Sequence, residues 1–389
     1  MRDAAEQGER ERLIKKIFFD KRCERNRKTK KHAMNIKVNI SGRVLKGALT
    51  VLLVAVLLAG CKDNPLMKPS ATGRPYEVLV VMDEEMQKGP IGCALDSVLT
   101  SEIVGLPMSE SFAALSHVTK GDFTGSLKFF RNIVYVDINP SIYTRTSVHF
   151  TRDENANGQY IISINSPNGK EFIDYCAEKG EELKGLIARG ELKRYVAFLQ
   201  KKHSQPVAQM AKKMFGCELK VPVDISRTRE GEDFMWAATP TSQMNIVVYS
   251  YPYAGPETFT RDYVLAMRDS VLGEYIKGAN GEHDHMATNK EMTEVTPINV
   301  KGNYCMEARG LWEMTVSFLG GPFVSHSRVD TVNGRVIVAE GFVMEFEKLN
   351  RTMMRNLEAA LWTLNTAAPE GVEGKEEEVE DAGGAEGEE

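Results

Sequence analysis

The run Gly47–Cys61 sets the terms for everything that follows it. Starting from Met34, the chain presents Lys37, Arg43 and Lys46. Twelve residues without a charge follow, Ala48 to Ala59, and then Gly60 and Cys61. A basic start, an apolar middle and small residues ahead of a cut are what an export signal requires. Twelve residues are too few to cross a bilayer as a helix, which takes about 20. Cleavage after Gly60 would leave residues 61–389 to fold.

The ending Leu58-Ala59-Gly60-Cys61 resembles the lipobox of bacterial lipoproteins. The resemblance implies a thioether from Cys61 to diacylglycerol, cleavage between Gly60 and Cys61, and palmitate or a similar acyl chain on the new amino group. A single acyl chain anchors only marginally, whereas two or three hold firmly. The expected location is the cell envelope, on the inner or outer membrane, facing the periplasm or the surface. Residues 1–33 carry 12 Lys+Arg against 6 Asp+Glu and no long apolar run. They read as a misassigned extension ahead of a signal peptide at 34–60. A basic arm is the alternative.

Charge narrows the partners. The whole chain carries −5; residues 1–33 contribute +6 and residues 34–60 contribute +3, leaving −14 on residues 61–389. An acidic body argues against nucleic acid and against attraction to anionic lipid. Four cysteines remain after Cys23 and Cys61: Cys93, Cys176, Cys217 and Cys305, widely spaced and without CxxC. Buried thiols are the favoured reading, with disulfide pairing left open.

Residues 61–75 hold Pro, Gly and Ser and read as a lipidated tether. The apolar run Tyr76–Met82 opens a first lobe expected over 76–216. A helix is expected over Ile91–Val104, and strands over Phe112–Val118, Asn132–Ile138, Ser147–Arg152 and Gln159–Asn165. Asn157-Gly158 signals a two-residue hairpin between the last pair. Apolar residues recur at helical spacing through 168–215, with Ser204 and Pro206 starting a second helix that Gly216 ends.

A second lobe is expected over 217–367. Its strands are Glu218–Ile225, Phe234–Ala238, Met244–Tyr251, Glu294–Val300, Asn303–Met314, Pro322–Asp330 and Arg335–Glu345. Helices fill Thr260–Ile276, closed by Gly278, and Lys348–Leu364, whose buried stripe includes Leu349, Met353, Leu357 and Leu361. Asn333-Gly334 marks another hairpin. Residues 370–389 carry ten acidic groups and one lysine, so 368–389 reads as a disordered acidic tail. The fold class is α+β, antiparallel sheets packed with helices, with two similar lobes as a further expectation.

Several clusters invite chemistry. Asp153–Gly158 matches half of a calcium loop, but Ile164 stands where a bidentate carboxylate is needed, so a turn is preferred. His283 and His285, in Glu282-His283-Asp284-His285, are weak metal candidates in what reads as an exposed loop. Tyr249, Tyr251 and Tyr253 place aromatics at a strand end, where packing is favoured over ligand stacking. Arg309, Trp312 and Glu313 form a second ligand-binding candidate, since an arginine beside a strand holds a carboxylate or phosphate bidentately. Cys305 is a nucleophile only if the fold brings a histidine to it. GxSxG, Walker A, GxGxxG and HExxH do not occur, and no cofactor is called for.

Gly73-Arg74-Pro75-Tyr76-Glu77-Val78-Leu79-Val80-Val81, Arg131–Val134, Tyr249–Tyr253, Arg309–Met314, Gly320–Val324 and Glu340–Val343 stand in one order along the chain. Together they resemble an uncharacterised lipoprotein family of Bacteroidota, domain of unknown function 4837, over about Gly73–Leu364. The resemblance implies an envelope lipoprotein and brings no activity or catalytic residue. Asp96-Ser97-Val98, Asp269-Ser270-Val271 and Asp330-Thr331-Val332 also resemble the short O-glycosylation signal of that phylum. The leading expectation is a non-enzymatic protein. Its partners would be the membrane, through the lipid anchor, and an envelope protein or small ligand. The alternatives are an envelope hydrolase or metal-dependent enzyme and a structural assembly factor.

Overall fold

A computed structural model of the chain describes residues 68–103, 105–344 and 349–366. The Gly47–Cys61 run, residues 1–33 and the acidic tail lie outside the described residues. So do Cys61 and Gly60.

The first sheet is built from β1 (Glu77–Val81), β2 (Ala114–Val118), β3 (Asn132–Ile138), β4 (Ser147–Arg152) and β5 (Tyr160–Ser166), in the order β2-β1-β3-β5-β4. Four of the five residues of β1 are buried, because the strand faces cores on both sides. Val78 and Val80 pack with Leu95, Leu99 and Phe172 on one side, and Leu79 and Val81 with Ile133 and Ile161 on the other. Helices α1 (Glu84–Lys88) and α2 (Pro90–Leu99) carry the chain across to β2. That crossover makes β2 parallel to β1, and β3 and β5 join in parallel too. Only β4 is antiparallel. The α+β class holds, while three of the four ladders here are parallel, as strands buried on both faces usually are.

The link from β4 to β5 is longer than a two-residue hairpin. Arg152 pairs with Tyr160, and residues 153–159 loop between them. Asp153 Oδ1 accepts from the amides of Gly158 and Gln159. The residues that mimic a calcium loop are a carboxylate-capped turn.

Helix α3 (Gly169–Lys201) runs 33 residues. Asn168 starts it: its side chain accepts from the Glu171 amide at 3.0 Å and donates to the Glu171 carboxylate at 3.0 Å. Phe172, Cys176, Leu183 and Ile187 pack under the first sheet, whereas Leu192, Tyr195, Val196 and Leu199 belong to the core of the second. Gly190 allows the Tyr160 ring to lie against the helix, where a Cβ would sit 3.0 Å from it. Among the described residues no helix is long and apolar enough to cross a membrane. Helix α4 (Gln205–Phe215) follows, with Pro206 in its first turn and Gly216 at φ +64° closing it.

The second sheet has eight antiparallel strands. They are β6 (Arg227–Gly231), β7 (Phe234–Ala238), β8 (Met244–Pro252), β9 (Lys277–Gly278), β10 (Gly281–Val300), β11 (Asn303–Met314), β12 (Gly320–Asp330) and β13 (Arg335–Val343). Their order is β6-β7-β8-β13-β12-β11-β10-β9. It does not repeat the first sheet. Helix α5 (Arg261–Tyr275) covers one face, against Tyr249, Trp312, Phe323 and Phe342. Helix α4, the end of α3 and α6 (Arg351–Leu361) cover the other, against Ile246, Val248, Val324 and Ile337.

Four expectations change here. Residues Glu218–Ile225 are no strand; they bridge only Asn365, and Cys217, Leu219 and Val221 fill the core as irregular chain. The Glu282–His285 loop is the start of β10. Gly278 does not close α5: Ile276 ends it in extended conformation, and Gly278 pairs in β9. Leu349 is exposed and precedes α6.

Candidate functional site

A cleft of about 410 Å³ opens between α3 and α6, with Tyr76, Phe112 and Arg131 of the first sheet's surroundings on one side and Arg309 of β11 on the other. Five arginines line it (131, 189, 309, 351 and 355) against two glutamates (191 and 358). Tyr76, Phe112, Leu192, Tyr195 and Trp362 supply the apolar walls.

One wall is organised around Glu191, which is buried. Its Oε1 accepts from the Tyr76 amide at 3.0 Å and Asn132 Nδ2 at 2.7 Å, with Arg194 at 2.8 Å; its Oε2 takes Arg131 at 2.6 Å. Burial alone would raise this carboxyl. Arg194, Arg131 and Asn132 outweigh burial and hold it below the ordinary value. With four donors around it, Glu191 fixes α3 against the starts of β1 and β3.

The facing wall rests on alternation along β11. Cys305, Glu307 and Arg309 point to the α6 side of the sheet, and His326 sits opposite Glu307 in the ladder. Arg309 donates to Glu307 (3.2 and 3.4 Å) and to Glu358 of α6 (2.9 Å). His326 Nε2 meets Glu307 Oε2 at 3.2 Å. Against burial, which lowers it, the neighbouring Cys305 and Glu307 push His326 up to about 9. Against burial, which raises it, His326 and Arg309 bring Glu307 down to about 2. A nucleophile needs its base bonded to it, but among the described residues His326 Nδ1 has no hydrogen-bond partner and Nε2 meets only Glu307. Cys305 and His326 are also wholly buried, with the Trp362 ring edge-on to the imidazole at 6.4 Å.

Arg355 differs from its neighbours. Its guanidinium lies 3.1 Å from the centre of the Tyr76 ring and 5.3 Å from that of Phe112, and Nη2 donates to the Phe112 carbonyl at 2.8 Å. Among the described residues no carboxylate pairs with it. Burial pushes it down to about 10, and burial raises Tyr76 to about 12. Arg189, exposed on α3, likewise has no carboxylate partner among the described residues. An uncompensated, partly buried guanidinium such as that of Arg355 is costly, and with the exposed Arg189 beside it the cleft offers two cations to an anion.

Of the residues singled out in the sequence, only Arg309 reaches this cleft. Glu313 lies four residues further along the same face of β11 and is exposed. Trp312 faces the opposite core, donating Nε1 to the Val343 carbonyl at 3.1 Å and meeting Phe342 edge-on. Tyr249 and Tyr251 are buried under α5, whereas Tyr253 is half-exposed against Phe259. His283 is exposed. His285 lines a separate shallow hollow with Asp269 and Lys277. Asp284 between them is buried, and among the described residues no three ligating side chains gather for a metal. Cys176 and Cys217 are buried thiols pushed up by burial to about 11 and about 12; Cys93 is exposed. Ser97, Ser270 and Thr331 are exposed, the first two on helices and the third in the β12–β13 turn.

Sequence reasoning missed Arg131, Arg189, Glu191 and Arg355. Only the spacing of Glu191 and Arg194, one helical turn apart, offered a local signal. The rest meet through long-range packing.

No curated protein matches the chain. Among solved structures, a crystal structure from Bacteroides thetaiotaomicron VPI-5482 aligns at 10% identity with a TM-score of 0.23, covering 39% of this chain; the chain spans 45% of that structure. The Ran-binding protein Mog1p of Saccharomyces cerevisiae aligns at 8% identity with a TM-score of 0.26, covering 39% of this chain and 89% of Mog1p. Residues 71–200 match a family model described as Domain of unknown function (DUF8532). The anticipated resemblance therefore holds over less of the chain than expected, and the junction falls between α3 and α4. Residues 204–363 match the family model described as Domain of unknown function (DUF4837).

Proposed function

We propose that the chain is a lipid-anchored envelope protein whose cleft binds an organic anion with an apolar or aromatic portion. The observation that carries the binding half is the sign of the cleft. Of its five lining arginines, Arg131, Arg309 and Arg351 are paired with Glu191, with Glu307 and Glu358, and with Glu110, while Arg189 and Arg355 have no carboxylate partner among the described residues, within a body of −14 over residues 61–389. A cationic cleft in an acidic body focuses field lines on itself and raises the local concentration of anions. Aromatic walls and a volume of about 410 Å³ suit a small organic molecule. The anchoring half rests on the Lys37–Cys61 pattern alone.

The probe for the cleft is 1-anilinonaphthalene-8-sulfonate, an aromatic anion. It is expected to bind saturably, with energy transfer from Trp362 that is reduced in Trp362→Phe, where Trp236 and Trp312 remain. Replacing Arg189 and Arg355 together by Gln is expected to weaken binding about tenfold or more, the effect of losing charge-assisted contacts. Unchanged affinity in that double variant would exclude the cleft as an anion site.

A further inference from the structure

The turn joining β11 to β12 is an apolar tip on a rigid mount. Val316, Phe318 and Leu319 are all exposed there, and Phe318 is fully so. Exposed apolar side chains are common singly, but three in four residues at one projecting tip form a patch. The backbone under the tip is held by hydrogen bonds. The buried Asp284 carboxylate accepts from the amides of Val316 (3.2 Å) and Ser317 (3.1 Å), and from the Ser317 hydroxyl. Asn280 Nδ2 donates to the same carboxylate at 3.2 Å. Thr315 is tied twice to β10, through its hydroxyl to the His283 carbonyl and through its amide to the His285 carbonyl, each at 3.0 Å. A buried carboxylate spent on holding a fully exposed phenylalanine in place is what a preorganised contact site requires.

We infer that this tip dips into the interface of the lipid bilayer on which the protein is anchored. The inference rests on the anchoring reading above. Two observations favour lipid as the occupant. Six residues, 62–67, lie between Cys61 and Lys68, whose Nζ donates to the Asp153 carbonyl at 2.5 Å and whose carbonyl accepts from Asn157 at 2.7 Å. Fully extended, that tether reaches about 25 Å, about the radius of a body of this size. A leash this short brings some part of the surface against the bilayer. The tip is also short of cations: the nearby Lys277 is paired with Glu282 at 2.7 Å. Contact would thus depend on apolar insertion and suits neutral lipid rather than anionic lipid.

The test uses the full chain made in a lipidating bacterial host and reconstituted into phosphatidylcholine vesicles. Acylation of Cys61 is read by mass spectrometry. Phe318→Trp, at an exposed position, is compared with the parent in vesicles of brominated and ordinary phosphatidylcholine. The expected result is a blue shift and a component of emission quenched by bromine that the parent lacks, and its loss when Val316 and Leu319 are also replaced by Ser. An acylated chain with no added quenching overturns the insertion alone. A chain without acyl groups overturns the anchoring reading, and the insertion with it.

Discussion

Arg268 and Arg355 lie on opposite sides of the eight-stranded sheet and lead opposite lives. Arg268, on α5, is wholly buried, yet every need of its guanidinium is met. Nε and Nη2 grip Glu340 at 2.9 and 2.7 Å, Nη1 donates to Thr288 at 2.7 Å, and the plane lies 3.8 Å from the centre of the Phe323 ring. Arg355, on α6, has a ring beneath it and one carbonyl beside it. A guanidinium whose charge is answered inside the fold is a structural element. One whose charge is left unanswered beside a cavity remains available to a charge from outside, as proposed for this cleft.

The largest effect should come from breaking the answered pair. Glu340→Ala leaves Arg268 buried with only the Asp269 carboxylate, 4.0 Å away, and is expected to cost about 3–5 kcal/mol in urea unfolding. An unchanged midpoint would show that the pair contributes nothing to holding α5, and the contrast would collapse.

His326 and Glu307 make an intermediate case, a pair that pH can undo. Glu307 sits below its ordinary 4.5, at about 2, so its contribution is complete above 4.5 and is lost as pH falls towards 2. His326 sits above its ordinary 6.5, at about 9, so its contribution is complete below 6.5 and is lost as pH rises through 9. Both act in full only between 4.5 and 6.5. Unfolding free energies at acid, mildly acid and alkaline pH should trace this plateau, and His326→Gln should flatten its alkaline side. An alkaline decline that survives the substitution would assign the titration to other groups.

The smallest effect on stability is expected at Arg355. Arg355→Gln removes one hydrogen bond and two ring contacts but also an uncompensated charge, so the net change should stay within about 1–2 kcal/mol. A loss as large as that of Glu340→Ala would make Arg355 structural and remove the reason to read the cleft as a receptor.

Much of the fold was legible because local patterns agreed with it. Asn132–Ile138, Ser147–Arg152, Phe234–Ala238 and Asn303–Met314 coincide with their strands, and Ser204, Pro206 and Gly216 frame α4. What failed did so for physical reasons. Arg227–Gly231 is an exposed edge strand with no apolar face to betray it. Glu282–His285 reads as loop because its polar side chains sit near the edge of the sheet. The parallel order of the first sheet depends on a crossover, which periodicity does not encode. The cleft was nearly invisible. Arg309 was flagged from its strand, but Glu191, Arg131 and Arg355 come from three distant segments, and no spacing rule links them. Trp312 and Tyr249 drew notice as aromatics and proved to be filling.

Helix α3 has a mechanical consequence. At about 1.5 Å per residue, its 33 residues form a beam of about 50 Å, with one half set in each core. The walls of the cleft are therefore spaced by the stiffness of one continuous helix rather than by a hinge. A guest would meet a socket of fixed gauge, and discrimination among guests would fall to fit and charge at the threshold instead of to closure around them.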